Sequence, residues 1–110
     1  MVFSLAKLGD VPPYSTHLLG MNEPNLHNET PEQIGAIWQS LVSKAGTIAS
    51  PAQSGNPYRD GSWLEQFKNL KSSPQYNYVA LHGYGTYHPQ SFKDLVNNVT
   101  GKFGKPIWIT

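Results

Sequence analysis

Residues Thr30–Ser50 read TPEQIGAIWQSLVSKAGTIAS, a helix and a strand written back to back. Thr30-Pro-Glu-Gln33 is a capping box. The threonine hydroxyl can accept from the N–H three residues on, the glutamine can reach back, and proline at the first helical position sacrifices no needed donor. Behind it Ile34, Ile37, Trp38, Leu41, Val42 and Ala45 recur at steps of three and four and share one helix face. Gly46 stands where a C-terminal glycine cap belongs. Thr47-Ile-Ala-Ser50 then reads as a short buried strand closed by Pro51.

The unit repeats in both directions. Ser62-Trp-Leu-Glu65 is a second capping box, followed by the apolar stripe Trp63, Leu64, Phe67 and Leu70. Tyr78-Val-Ala-Leu-His82 reads as the next strand. Ser91 can cap a third helix carrying Phe92, Leu95, Val96, Val99 and Phe103, with Gly104 at its end. Pro106-Ile-Trp-Ile-Thr110 is a last strand, and Leu18-Leu-Gly-Met-Asn22 a first one. Strand centres at Leu19, Ile48, Val79 and Ile107 lie 29, 31 and 28 residues apart. Strands at such intervals with a helix between each pair form parallel sheets through right-handed crossovers. Eight such units would need roughly 240 residues, the size of a (β/α)8 barrel. The expected class is therefore α/β. It is read as part of a (β/α)8 TIM barrel, with four parallel strands and three intervening helices over residues 17–110, after a leading loop or partial helix over 1–16. The alternative is a self-contained α/β domain with strand order 3-2-1-4.

Bulk composition narrows the chemistry. A formal charge of +1 supplies no field for DNA or anionic lipid, so neither nucleic acid nor membrane is expected as partner. The absence of cysteine excludes disulfides and thiolate metal sites. No run approaches the roughly 20 apolar residues of a membrane span, and the opening MVFSLA lacks the pattern of a signal peptide. Two sequons, Asn28-Glu-Thr30 and Asn98-Val-Thr100, would permit glycosylation in a secretory pathway. Six Tyr and three Trp offer apolar faces with polar tips, which suit the stacking of sugars.

In parallel α/β folds the working residues gather at the C-terminal ends of strands. That rule selects Asn22 and Glu23, Ser50 and Pro51, then His82 with Tyr84. An acid, an amide, an imidazole and a phenol would converge on one rim, with no metal cage and no cofactor motif. HExxH and GxSxG are absent, and Gly83-Tyr-Gly85 lacks the third glycine of a dinucleotide loop. A carboxyl shielded at a strand end can stay protonated until needed, which suits the acid of a glycoside hydrolase; that reaction needs two carboxylates.

The ordered blocks LLGMNEPN (18–25), IASPA (48–52), Trp63-Leu64 with Phe67, VALHGYG (79–85) and KPIWIT (105–110) closely resemble glycoside hydrolase family 128. These are endo-β-1,3-glucanases with a (β/α)8 barrel, also described as the alkali-sensitive-linkage type. The resemblance implies that the strands here are the fourth to seventh of that barrel. It implies that Glu23 is the general acid/base and that Asn22 contacts the sugar, with His82 and Tyr84 shaping the same subsite. Trp108 falls on the last strand motif, where alternation leaves open whether it meets sugar or packs. Two positions depart from the family pattern: Gly83 stands for a tryptophan and Asn25 for an aspartate. The family's nucleophilic glutamate is expected directly after Thr110, so the chain by itself is expected to be nearly inactive and to expose open sheet edges that invite self-association. A β-1,3-glucan is the implied partner and an extracellular or cell-wall location the implied compartment. A non-catalytic β-glucan-binding module with the same fold is the competing reading.

Overall fold

The computed structural model describes residues 15–83 and 88–110. Four strands and three helices alternate: β1 (Ser15–Leu18), α1 (Pro31–Val42), β2 (Ala45–Ile48), α2 (Trp63–Lys68), β3 (Val79–Leu81), α3 (Pro89–Phe103) and β4 (Ile107–Ile109). Strands β1 and β2 run parallel with His17 opposite Thr47, and β3 and β4 run parallel with Ala80 opposite Trp108. A parallel bridge between Ala49 and Tyr78 joins the two pairs. Neighbours thus follow chain order, which replaces the 3-2-1-4 alternative.

The capping boxes set the helix starts. Thr30 and Gln33 cap α1 reciprocally, at 3.1 and 2.9 Å. Ser62 caps α2 through the Glu65 N–H, but the Glu65 carboxylate reaches the N–H of Gly61 and not that of Ser62. Several boundaries differ from the sequence expectation. Helix α1 stops at Val42, because the N–H groups of Ser43 and Lys44 turn onto the carbonyls of Gln39 and Leu41. Ala45 and Gly46 are thereby released to pair with β1, so Gly46 lies in a strand and caps no helix. Helix α3 is capped by His88, with Pro89 at its first position, ahead of Ser91; it does end on Gly104, at φ 64°. Strand β1 begins at Ser15, inside the stretch read as leading loop, and ends at Leu18, where the expected strand Leu18–Asn22 began.

Alternation divides each strand between two environments. Leu18, Ile48, Val79, Leu81 and Ile107 face the helices and pack with Ile34, Trp38, Leu41, Leu64, Phe67, Val99 and Phe103. Phe67 is the centre of this layer, edge-on to Trp38 at 5.0 Å and stacked on Trp63 at 5.5 Å. Truncating such a side chain typically costs about 3–5 kcal/mol. The opposite face carries Leu19, Ala49, Ala52, Tyr78 and Ala80. There the His17 ring, on β1, meets Trp108, on β4, at 5.9 Å. Three strand spacings would separate β1 from β4 by about 14 Å in a flat sheet, with side chains standing perpendicular to it. The contact therefore requires the four strands to curl toward this face, leaving the helices outside.

Candidate active site

The acid is delivered by a segment whose backbone is tied down at each step. Past β1 the chain runs tight against the end of β2. A Cβ on Gly20 would lie 2.9 Å from three backbone atoms of Ala49, Ser50 and Pro51, so only glycine fits. The Ala52 N–H donates to the Met21 carbonyl at 2.8 Å, and the Glu23 N–H donates to the Ala52 carbonyl at 2.7 Å. Glu23 itself is left-handed, φ 47°, ψ 51°, a conformation that costs a non-glycine residue roughly 1–2 kcal/mol. Buried Pro24 then opens a single 3-10 turn, Pro24–Leu26. Asn25 pins that turn from the other side. Its Oδ1 accepts from the Ser54 N–H at 2.9 Å and its Nδ2 donates to the Ser54 carbonyl at 3.1 Å. An aspartate could make only the first of these bonds, which accounts for the amide at this position.

His82 follows β3 and connects the first strand end to the last. Its Nε2 lies 3.1 Å from Asn22 Oδ1 and 3.9 Å from a Glu23 carboxylate oxygen. Its Nδ1 lies 3.1 Å from the Thr110 hydroxyl and 3.3 Å from the Thr110 carbonyl oxygen. The imidazole is nearly enclosed, 7% exposed, whereas the Glu23 side chain keeps 24% of its surface open. That combination suits a fixed orienting group beside an acid that a ligand can reach. A cavity of about 330 Å³ opens over them, lined by Glu23, His82, Ser54, Gly55, Asn56, Arg59 and Leu95. This is at the small end of ligand-binding clefts. Among the described residues Glu23 is the one carboxylate in its wall, and no group of three His, Asp or Glu side chains there could hold a metal ion.

The structure thus brings Glu23, Asn22 and His82 together. Trp108 is placed on the concave face, edge-on to Tyr78 at 5.4 Å and to His17, and it does not line the cavity. Tyr84 lies outside the described residues. Ser50 belongs to the framework: fully buried, its hydroxyl accepts from the Ala80 N–H at 3.1 Å and donates to the Pro51 carbonyl at 3.0 Å, joining β2 to β3. Sequence reasoning missed Ser54, Asn56 and Arg59, which lie on the loop leading from β2 to α2. The signal was present, because Gly55 and Pro57 mark an irregular loop at the C-terminal side of a strand, where parallel folds build their sites.

Comparison with known proteins places this geometry. The chain is similar to an endo-β-1,3-glucanase of glycoside hydrolase family 128, subgroup I, from Amycolatopsis mediterranei. A mutant of it in complex with laminarihexaose aligns at TM-score 0.78 and 24% identity, over 86% of this chain and 43% of that one. The same enzyme in complex with laminaritriose aligns at 0.78 and 24%, over 87% and 44%. A subgroup VII oligosaccharide-binding protein of that family from Trichoderma gamsii aligns at 0.76 and 19%, over 96% and 44%. At these identities the likeness speaks to the fold, and the chain spans less than half the length of each of these relatives. No curated protein matches it. The family model described as the glycosyl hydrolase catalytic core matches residues 4–110, and the chain belongs to that family.

Proposed function

We propose that this chain forms part of the (β/α)8 barrel of a retaining β-1,3-glucanase, with Glu23 as its general acid/base. The observation that carries the reading is the convergence of a left-handed, partly open Glu23 with the His82–Asn22 pair at the C-terminal ends of two strands. The inward curl marked by the His17–Trp108 contact supports the barrel. In this reading Glu23 protonates the glycosidic oxygen and later deprotonates the attacking water. Asn22 hydrogen-bonds a sugar hydroxyl, and His82 holds Asn22. A retaining mechanism needs a second carboxylate about 5 Å away as nucleophile. Thr110 hydrogen-bonds to Leu81 and His82 at the rim, so a glutamate following it in a longer chain would emerge beside Glu23. The substrate, a cell-wall or extracellular polysaccharide, would place the protein outside the cell.

Release of reducing sugar from laminarin tests the reading. In a chain carrying the second carboxylate, Glu23→Gln should lower kcat by about 10²- to 10⁴-fold. The 110-residue chain alone should release almost none. Unchanged hydrolysis in Glu23→Gln would refute the assignment.

A second reading is a glucan-binding protein without catalysis, in which Glu23 serves as a binding group in the cavity wall. The fold is also that of the Trichoderma gamsii oligosaccharide-binding protein. Retention of laminarihexaose by Glu23→Gln, without hydrolysis by any longer chain, would select it.

A further inference from the structure

We propose that Asn56 and Arg59 form a ligand-binding pair in the wall of the Glu23 cavity, suited to two neighbouring hydroxyl groups of a neutral sugar ring, and that Lys102 is the positioning residue that holds the pair in place. That the sugar belongs to a β-1,3-glucan rests on the function proposed above; the pair and its support do not.

The loop from β2 to α2 contains two consecutive tight turns. Asn56-Pro57-Tyr58-Arg59 is closed by the Arg59 N–H on the Asn56 carbonyl at 3.4 Å, and the Ser62 N–H closes the next turn on the Arg59 carbonyl at 3.1 Å. Asparagine at the first position and proline at the second suit a β-turn, which brings the Cα atoms of its two feet within about 7 Å. The two carbonyls between the feet are also taken. That of Pro57 accepts from the Ser62 hydroxyl at 2.7 Å, and that of Tyr58 accepts from the Lys102 ammonium at 3.0 Å. Lys102 also holds the Asp60 carboxylate at 3.0 Å, so from α3 it grips the residues on both sides of Arg59. Every carbonyl from 56 to 59 thus has a protein donor, and Pro57 is buried.

The side chains at the two feet are used differently. Both residues line the cavity, yet neither the Asn56 amide nor the Arg59 guanidinium makes a hydrogen bond or ion pair with a described residue. Asp60, the carboxylate next to Arg59 in the chain, is committed to Lys102 instead. Unmet polar groups on a backbone that is already fixed make a preorganised site, because little ordering remains when a ligand arrives. The planar fork of guanidinium N–H donors matches two adjacent oxygen acceptors, and the amide adds a donor and an acceptor. Leu95 in the same wall offers an apolar patch to the C–H face of a ring. An anion at Arg59 would be repelled by an ionised Glu23 in the shared cavity, whereas hydroxyl groups tolerate both protonation states of that acid.

Arg59 is the single arginine of the chain, so its side-chain N–H gives one unambiguous 1H–15N signal. Titration with laminarihexaose should shift that signal and those of the Asn56 amide. Arg59→Ala, at an exposed position where the fold is undisturbed, should lower laminarihexaose affinity by about tenfold or more, and Asn56→Ala by about three- to tenfold. Arg59→Lys should recover only part of the loss, because an ammonium lacks the fork. Lys102→Met should weaken binding when Arg59 is present and have no further effect in Arg59→Ala, the non-additivity of a residue that acts through another. Wild-type affinity in both Arg59→Ala and Asn56→Ala overturns the pair. Equal losses from Lys102→Met with and without Arg59 overturn the role of Lys102. Cellohexaose and sulfate serve as the second and third probes. A response of the Arg59 signal to cellohexaose and not to laminarihexaose would uphold the pair and refute the proposed β-1,3-glucan function. A response to sulfate alone, or to none of the three, overturns the proposal.

Discussion

The Glu23 N–H donates to the Ala52 carbonyl across 2.7 Å, and that bond holds an acidic residue in the left-handed region at φ 47°. Glutamate has no intrinsic preference for this conformation, so the surrounding turn supplies the strain. Residues held in this way concentrate at functional sites. Glu23→Gly and Glu23→Ala both remove the carboxylate, and only glycine relieves the backbone. Glu23→Gly should therefore be more stable than Glu23→Ala by about 1 kcal/mol, after allowance for the extra freedom of glycine in the unfolded chain. Urea unfolding followed by tryptophan fluorescence measures the difference. Equal stability would mean that the turn relaxes once the side chain is gone.

Stability should fall at both ends of the pH scale, through groups outside the cavity wall. Lys102, on α3, donates to the Tyr58 carbonyl at 3.0 Å and pairs with Asp60 and Glu65, tying the loop that bears Asn56 and Arg59 to the third helix. The Lys102 hydrogen bond, then the Gly61 N–H, hold the Glu65 carboxyl below its ordinary 4.5. A lowered value stabilises the fold above the unfolded-state pKa, and the contribution is lost as pH falls from about 4.5. Glu65, then Asp60, raise Lys102 above its ordinary 10.5. That contribution is present below 10.5 and lost as pH rises beyond it. Burial raises Tyr76 above 10.0, and its effect has the same sign, because the unfolded chain ionises first. Thermal unfolding against pH should show a plateau with a decline on each side. Lys102→Met should flatten the acid decline and leave the Tyr76 part of the alkaline one. An acid limb unchanged by Lys102→Met would show that the clamp does not form in solution.

The curled sheet has two sides to protect. Among the described residues β1 pairs only with β2 and β4 only with β3, and Ile109 on the outer strand is 47% exposed. Unpaired strand edges with exposed apolar side chains are templates for self-pairing. The chain should therefore associate at concentrations of tens of micromolar and above, as read by light scattering after size exclusion. Ile109→Lys should shift the distribution toward monomer. An identical distribution in that variant would assign the association to another surface.

Much of this architecture was legible beforehand, for identifiable reasons. Capping residues announce helix starts because they satisfy N–H groups that the helix cannot; Thr30 and Ser62 both do so, although only the Thr30 box is reciprocal. Helix ends were less legible. Val42 ends α1 because Ala45 and Gly46 are needed opposite β1, a demand made by residues 30 positions away. Likewise Pro89, already fixed in φ, draws the start of α3 back to His88.

The rim divides in the same way. Periodicity and strand-end placement alone brought Asn22, Glu23 and His82 to one side of the sheet, since each directly follows an apolar run of fixed alternation. Nothing local could reveal that Asn25 grips Ser54, or that Trp108 turns to His17 across the curl. Local sequence determined which segments are helix and strand and which residues stand at their ends. Tertiary structure decided the curvature, the partners of each side chain and the conformation of Glu23. Those depend on contacts between segments some 30 to 90 residues apart, whose register no local pattern encodes.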